Sequence, residues 1–394
     1  MIFAPSHAAE PKVGKYVKYD AGEFVIVTSR SPARAKRFVE DLAKFRLTLE
    51  RVLGKRSTKS DFPTTIVITS AADWRNWLQP SERFAGYFQK ARFANYMSMD
   101  GDASLEEALT IMFHEYTHYF LSSQFAGDYP PWFNEGLAEL MGYARFKENK
   151  VTLQVPVGRI YEARQGKWIP FERLIQVDDY DPEYRSHRLG STFYAQSWIA
   201  VQYGMVENRD FGKQIFKYLN ELNKLVPQAE AAKSSFGDLA AIDKLLFDYS
   251  RRSALPQGGV DLDEIPQVTF PAGTPLSEMD TLALLATVML DSNLPPGRVR
   301  PLVESLERRD PDKARSAILA ARIAHVDDDS AGFDQAVARA EAVLAPGDWQ
   351  RHRDLASVLL ISGMESGPMS SRKSADTRRD VERAMKWFGE AIAH

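Results

Sequence analysis

The amino-acid sequence predicts an α+β domain, with a small mixed sheet and several helices, followed by an all-α domain of helical repeats. At 394 residues the chain is too long for a single compact core. Short β-branched and aromatic segments alternate with helical patterns over 16–255, whereas 276–394 has helical periodicity almost throughout. The proline- and glycine-rich stretch 256–275 separates these patterns, so we interpret it as a linker. Residues 1–15 are interpreted as a tail or the remnant of a signal sequence.

The α+β region is predicted to begin with strands that alternate with helices. Ser31-Pro32 is typical of a helix start and Gly54 of a helix end, with apolar residues at helical spacing between them. The β-α-β-β order places one strand at a sheet edge, beside the helix that follows. The predicted elements are, in order, a strand or hairpin at 16–28, a helix from 32 to about 53, a strand at 64–69, a short helix at 72–78, and one or two strands at 84–99.

The C-terminal region is predicted to consist of paired helices. Alanine-rich faces in this region suit close helix-on-helix packing. Pro311 and Pro346 lie thirty-five positions apart at comparable helix junctions, close to the roughly 34-residue period of tetratricopeptide repeats. We therefore interpret the region as tetratricopeptide-like. The predicted pairs are 276–291 with 298–309, 311–325 with 331–344, and 348–362 with 375–392.

Composition excludes several kinds of chemistry and partner. The chain has no cysteine, which excludes a thiolate nucleophile, a cysteine-ligated metal and a disulfide. The formal net charge of -3 gives no reason to expect nucleic acid or an acidic membrane as a partner. The longest apolar run, 282–290, is too short to span a bilayer, so no transmembrane segment is predicted.

The N-terminus has two interpretations. Residues 6–11, Ser-His-Ala-Ala-Glu-Pro, resemble the small-residue cleavage end of a secretory signal, although no basic and apolar segments precede them. As the remnant of a signal, they indicate a periplasmic or secreted protein. As a plain tail, they leave a cytoplasmic location open.

One helix carries the pattern on which the functional prediction depends. It is predicted to start at Ser104, because Ser104-Leu-Glu-Glu107 is a capping box before an apolar run, and to end near residue 123. His114, Glu115 and His118 follow in the pattern His-Glu-x-x-His. Two histidines four positions apart project from nearly the same helix face, as two ligands of one zinc ion require. A glutamate next to the first histidine can act as the base toward water on the metal.

The alternative is that both histidines are polar residues on a helix surface. Against it, the flanking positions are apolar, among them Phe113 and Phe120, and unpaired imidazoles are costly in such surroundings. A second helix is predicted to start at Pro130-Pro131, and it places Glu135 and Glu139 one turn apart. Either glutamate is then available as a third ligand.

The motif His114-Glu-Tyr-Thr-His118, followed by Pro131-Trp-Phe-Asn-Glu-Gly-Leu-Ala-Glu139, resembles the gluzincin metallopeptidases and, more closely, the bacterial peptidase MA-like group. The resemblance covers about 16–250 and implies a zincin-like fold, a bound Zn²⁺ and hydrolysis of peptide bonds. It implies that Glu135 is the third zinc ligand and that Glu139 accepts a hydrogen bond from a ligand histidine. The helical tail resembles the repeat domains attached to such peptidases.

A zinc hydrolase also needs a donor for the oxyanion that forms on the attacked carbonyl. Tyr184, His187 and Tyr194 are the candidates, and the resemblance favours Tyr194 because gluzincins commonly use a downstream tyrosine. The alternative for Tyr194 is an ordinary core residue. Asn134 is predicted to be a helix cap. His187 and Arg188 are candidates for binding a substrate carboxylate, with plain surface placement as the default. The remaining histidines have no ligand spacing and are predicted to be non-functional: His7, His325, His352 and His394.

Three functions fit these observations. The first is a zinc peptidase in which Glu115 is the general base and the repeats bind partner proteins or restrict access. The second is a catalytically silent zinc-binding protein whose helical repeats serve as an interaction scaffold. The third is a zinc hydrolase of a non-protein amide or ester. The presence of all three proposed ligands and of the base Glu115 favours the peptidase.

Overall fold

The computed structural model describes residues 10–22, 24–54, 56, 64–80, 85–124, 129–185, 187–264, 268–365 and 374–393. The protein is mixed α+β, with small sheets in its N-terminal region and a helical C-terminal region. The coarse fold class predicted from the sequence is therefore confirmed. Every helix in these described ranges is too short or too polar to cross a bilayer.

The described residues form strands and helices that follow most of the predicted pattern. The strands are β1 Val17–Ala21, β2 Phe24–Thr28, β3 Thr64–Thr69, β4 Gly86–Lys90, β5 Asn95–Asp100, β6 Ala144–Lys147, β7 Lys150–Leu153, β8 Gly258–Asp261 and β9 Thr274–Pro275. The helices of the N-terminal region are α1 Pro32–Leu53, α2 Ala71–Asp73, α3 Leu105–Gln124, α4 Pro131–Gly142, α5 Val157–Gln165, α6 Phe171–Gln176, α7 Pro182–Arg185, α8 His187–Gln202, α9 Arg209–Asn223, α10 Gln228–Phe236 and α11 Leu239–Ser250. Those of the C-terminal region are α12 Glu278–Asp291, α13 Pro296–Arg309, α14 Lys313–Val326, α15 Ser330–Val343, α16 Trp349–Glu365 and α17 Ser374–Ile392. π-helical segments continue α2 over Trp74–Leu78 and α8 over Tyr203–Glu207.

The larger sheet has the strand order β4-β5-β3-β2-β1-β9. The predicted hairpin is confirmed as the antiparallel pair β1–β2, and α1 then crosses to β3, which pairs parallel to β2. The segment 84–99 forms two strands: β5 lies parallel to β3, and β4 pairs antiparallel with β5. This order leaves β4 at the edge of the sheet and in contact with α3, as the β-α-β-β pattern predicts.

The ends of α1 are fixed by the residues that predict them. Ser31 caps the N-terminus through its hydroxyl, which accepts from the Arg34 backbone N–H. Gly54 ends the helix at φ 63°, in the left-handed region that glycine adopts without steric cost. Between these ends, α1 buries an aromatic face on which Phe45 stacks against Phe113 of α3, with ring centroids 4.2 Å apart. The packing of α1 thus supports the helix that carries the histidines.

The two helices of the candidate site begin where the sequence predicts. Ser104 and Glu107 form the capping box of α3: the Glu107 N–H donates to the Ser104 hydroxyl over 3.2 Å, and the Ser104 N–H donates to the Glu107 carboxylate over 3.0 Å. Helix α4 starts with Pro131 at its first position and Pro130 as its N-terminal cap. The prediction that Asn134 caps a helix is therefore wrong, because α4 begins one turn earlier and Asn134 lies within its first turn. The turn predicted at Gly127 lies outside the described residues.

A second, three-stranded sheet was not predicted. Strands β6, β7 and β8 pair antiparallel in that order, and β8 comes from the stretch 256–275 that the sequence analysis interprets as a linker. The same stretch supplies β9, which pairs with β1. All four strands are too short to give a clear periodic signal, and the partners of β8 and β9 lie far away in sequence. The stretch therefore adds a strand to each sheet as well as joining the two regions.

The C-terminal region has the predicted helix pairs α12–α13, α14–α15 and α16–α17. Its first pair packs onto the α+β region: Leu282 and Leu285 of α12 share a buried apolar cluster with Val67 of β3 and Trp74. Farther along, α14–α17 bury a separate cluster that includes Phe333 and several alanines. The helical region is thus built partly on the sheet's outer face. Its description as tetratricopeptide-like stays a prediction.

Candidate metal centre

The two motif histidines lie on one face of α3, one turn apart. Their rings meet edge-to-face with centroids 4.8 Å apart, and the Nε2 atoms of His114 and His118 are separated by 3.1 Å. Two nitrogens at this distance and with this orientation face a common point. The spacing predicted from the motif is therefore realised within one turn of helix.

Glu135 of α4 completes a triangle of ligand atoms. Its Oε2 atom lies 3.5 Å from the Nε2 atoms of both His114 and His118. A tetrahedral zinc ion about 2.0–2.2 Å from each ligand atom separates those atoms by about 3.3–3.6 Å. The three observed separations, 3.1, 3.5 and 3.5 Å, lie within a few tenths of an ångström of that geometry. The residues fit such an ion, and a tetrahedron leaves its fourth position for water or substrate.

Glu135 Oε2 is a buried acceptor whose polar neighbours are the Nε2 atoms of the two histidines, each 3.5 Å away. Among the described residues it makes no hydrogen bond, although the side chain is almost completely buried. Leaving a buried carboxylate oxygen unsatisfied is costly, and a cation at the centre of the triangle removes that cost. Of the residues that the structure describes, those able to form a metal-binding cluster of three or more are His114, His118 and Glu135.

The charges of the triangle support each other. Burial alone raises the pKa of Glu135, but the two histidines outweigh it and hold that pKa far below its usual range. Burial likewise lowers the pKa of His118, whereas the Glu135 carboxylate raises it, to about 9. The carboxylate is therefore ionised and attracts positive charge to the point that the two Nε2 atoms face.

Two tyrosines occupy the other oxygen of Glu135. The Tyr184 hydroxyl donates to Oε1 over 2.7 Å and the Tyr194 hydroxyl donates to the same atom over 3.3 Å. Burial raises the pKa of both tyrosines, and the Glu135 carboxylate raises it further, so both hydroxyls keep their protons. Oε1 is thus taken by donors and Oε2 alone is directed at the histidines. Both tyrosine candidates from the sequence lie at the site.

Asn134 supports His118 from the side away from the triangle. The Nδ1 atom of His118 lies 2.9 Å from Asn134 Oδ1. Because an amide oxygen only accepts, this contact places a proton on Nδ1, so Nε2 is the ring nitrogen that can lose its proton and present a lone pair to a metal ion. This role replaces the predicted helix cap. The position of Asn134, immediately before the glutamate of the motif, pointed to a role at the site. Its partner could not be predicted, because His118 lies on another helix.

Glu139 makes no direct hydrogen bond to either motif histidine. Its Oε1 atom lies 3.9 Å from His114 Nδ1, beyond hydrogen-bond distance. The carboxylate is instead paired with Arg159 of α5, whose Nε donates to Oε2 over 2.9 Å and whose Nη2 donates to Oε1. The sequence analysis missed Arg159, because a single arginine near a helix start carries no sign of which carboxylate it will meet.

Glu115 stands beside the histidines with its carboxylate unengaged. It is half-buried, and within the described parts of the chain it makes neither a hydrogen bond nor an ion pair. Burial lowers the pKa of His114, but nearby carboxylates, Glu135 first and then Glu115, outweigh burial and raise that pKa. Glu115 directly follows His114 in the chain, and its carboxylate is not engaged by another described residue.

The other candidates lie away from this site or outside the described residues. The side chains of His187 and Arg188 are not described, and neither are His7 and His394. His325 and His352 belong to the C-terminal helices, where His352 is buried and stacks on Trp387 with centroids 5.1 Å apart.

Comparisons of the chain with protein-family models, with curated proteins and with solved structures find no match. The chemistry of the site therefore follows from its own residues.

Close packing of α4 and α8 brings the residues of the site together. A Cβ on Gly136 would lie 2.4 Å from the Ser197 carbonyl oxygen of α8. This glycine lets α8 approach α4 closely, and Tyr194 of α8 consequently reaches Glu135.

Proposed function

We propose that the protein is a zinc-dependent peptidase in which His114, His118 and Glu135 bind the metal and Glu115 is the general base. The observation that supports this proposal best is the triangle formed by the two Nε2 atoms and Glu135 Oε2, with separations of 3.1, 3.5 and 3.5 Å, in which the buried oxygen accepts no hydrogen bond within the described residues. A surface pair of histidines has no need of a buried carboxylate directed between them. The chemistry of the donor set, two imidazoles and one carboxylate, is that of catalytic zinc sites.

A bound Zn²⁺ supplies Lewis-acid activation of water and of the scissile carbonyl. Glu115 lies beside the ligand histidines and accepts the proton of the attacking water, then delivers it to the leaving amine. Tyr184, at 2.7 Å, keeps Glu135 Oε1 occupied and Oε2 directed at the metal position. Tyr194 makes the longer contact of 3.3 Å, so it is the hydroxyl that turns to the oxyanion at least cost.

The edge of the larger sheet favours a peptide over other substrates. Among the described strands, β4 pairs with β5 on one side only, and α3 contacts both of these strands. An extended peptide adds to such an edge through backbone hydrogen bonds, whereas a small ester or non-peptide amide lacks the repeated backbone groups that pair with a strand. A peptide strand beside α3 runs past the helix that carries Glu115 and both histidines.

The alternative of a catalytically silent zinc protein is less well supported. Such a protein has no need to keep Glu115 next to the histidines, half-buried and without a partner among the described residues. Binding of partner proteins by the helical repeats is expected for a silent protein and is also compatible with an active peptidase. It therefore does not distinguish the two functions. We also propose a periplasmic or secreted location if residues 6–11 are the remnant of a signal; as a plain tail, they leave a cytoplasmic location open.

A peptide-library cleavage assay tests the function. The full chain is stripped with chelator, reconstituted with Zn²⁺, and incubated with mixed peptides and with small ester and amide substrates. We expect peptide cleavage that requires the metal and that is lost in Glu115→Gln. Chelator-sensitive turnover of the small substrates alone would move the assignment to a non-peptide hydrolase. Stoichiometric zinc without turnover of any substrate would favour the silent scaffold.

A further inference from the structure

A half-buried arginine, Arg159, lies beside the proposed metal site. Arg159 uses two of its nitrogens to hold both oxygens of Glu139, and its Nη1 donates to Glu162 Oε2 over 2.7 Å. Burial lowers the pKa of Arg159, but the two carboxylates outweigh it and raise it, so the guanidinium keeps its charge. The same guanidinium lies 5.5 Å from the centre of the Tyr194 ring. One cation thus contacts both the Glu139 carboxylate and the tyrosine that we propose as oxyanion donor.

The two ligand histidines are supported differently. His118 Nδ1 has a neutral acceptor, Asn134, at 2.9 Å. The nearest carboxylate oxygen to His114 Nδ1 belongs to Glu139, at 3.9 Å. A movement of about 1 Å would bring that oxygen within hydrogen-bond distance of His114. The bidentate pair with Arg159 opposes this movement, because a guanidinium fork fixes both carboxylate oxygens at once.

The charge on a histidine's acceptor matters to the metal. A carboxylate that accepts from the ring N–H makes the imidazole more basic and strengthens its bond to the metal. A neutral amide does this less, and a carboxylate already paired with arginine is neutralised. Neither ligand histidine therefore has a free anionic acceptor among the described residues.

We propose that Arg159 is a positioning residue that holds Glu139 away from His114 and neutralises it, so that the metal is bound less tightly and keeps more of its charge for the substrate. The inference rests on the proposed metal site, but it does not depend on which substrate is cleaved. It assigns Glu139 a role different from the one that the sequence implies: its carboxylate anchors Arg159 and does not support His114 directly.

The test is zinc affinity, measured by competition with a chromophoric chelator on the metal-stripped full chain. In Arg159→Met, Glu139 is released and can accept from His114 Nδ1, so we expect the zinc Kd to become about tenfold smaller. In the double variant Arg159→Met, Glu139→Gln the new anionic acceptor is gone, and Kd should return to within about threefold of wild type. Arg164→Met is the matched control, since Arg164 lies on the same helix but binds the carbonyls of Ser250 and Arg252; it should leave Kd unchanged.

The outcomes separate this proposal from the function itself. Weaker or unchanged zinc binding in Arg159→Met would overturn the proposal, because Arg159 would then merely support a carboxylate that helps His114. If Arg159→Met fails to fold, Arg159→Gln replaces it, since the amide retains one hydrogen bond to Glu139 and the same direction of change is expected. A wild-type chain that binds no zinc would remove the metal site and with it the proposed function. Wild-type zinc binding without peptide cleavage leaves the Arg159 test intact.

Discussion

Tyr184 and Tyr194 contact the same oxygen of Glu135, yet the structure predicts different consequences for their removal. Tyr184→Phe deletes a 2.7 Å hydrogen bond to a buried, ionised carboxylate. Hydrogen bonds to charged groups contribute about 1.5–3 kcal/mol. At about 1.4 kcal/mol for each tenfold change, this corresponds to roughly 10–100-fold weaker zinc binding, the range typical of partners that orient a metal ligand.

Tyr194→Phe removes a contact of 3.3 Å, longer than normal, so we expect zinc Kd to rise by less than about tenfold. Its effect should lie in turnover, because loss of an oxyanion donor lowers kcat by about 10²–10³. Zinc Kd is measured by chelator competition and kcat with a cleaved peptide at saturating zinc. Tyr180→Phe is the matched control, since Tyr180 precedes α7 and is 80% exposed. Equal losses of affinity and of kcat in the two site variants would refute this division of roles.

Three further predictions concern residues on α3 and α4. Glu115→Gln should retain zinc at the wild-type stoichiometry while kcat falls by at least about 10²; unchanged hydrolysis would exclude Glu115 as the base. Asn134→Ala should weaken zinc binding about 10–100-fold, because His118 loses the acceptor that fixes its Nδ1 proton; the chelator-competition assay would contradict this if Kd were unchanged. Gly136→Ala should lower the free energy of unfolding by about 1–3 kcal/mol in urea, since its Cβ would meet the Ser197 carbonyl oxygen; wild-type stability would show that α4 and α8 can separate without cost.

The sequence predicted helices and strands correctly where a short stretch contains both the start signal and the residues that it contacts. The Ser104–Glu107 capping box and the Pro131 helix start agree with the structure because their hydrogen bonds are made within one turn of chain. The relative position of His114 and His118 follows from helical periodicity alone. These predictions required no knowledge of tertiary contacts.

Predictions failed or were missing where the partner lies far away in sequence. Asparagine is a common helix cap, but the side-chain oxygen of Asn134 instead accepts a hydrogen bond from His118, sixteen residues earlier on another helix. Arg159 gives no local sign that it will meet Glu139, and the Glu162 three residues on suggests an ordinary surface ion pair instead. Strand β8 was missed because its partner, β7, lies about a hundred residues earlier in the chain. In each case tertiary packing decides the contact.

The Asn-Glu-Gly segment of α4 illustrates why a short motif can describe a three-dimensional site. Successive residues of a helix are rotated by about 100°, so neighbouring positions face different elements. Asn134 reaches His118, Glu135 is directed at the gap between the two Nε2 atoms, and Gly136 lies against the backbone of α8. A shift of α4 by one position would therefore exchange all three environments at once. Because Pro131 fixes the first position of α4, the register of the helix, and with it the residue that faces the two Nε2 atoms, depends on where that proline lies.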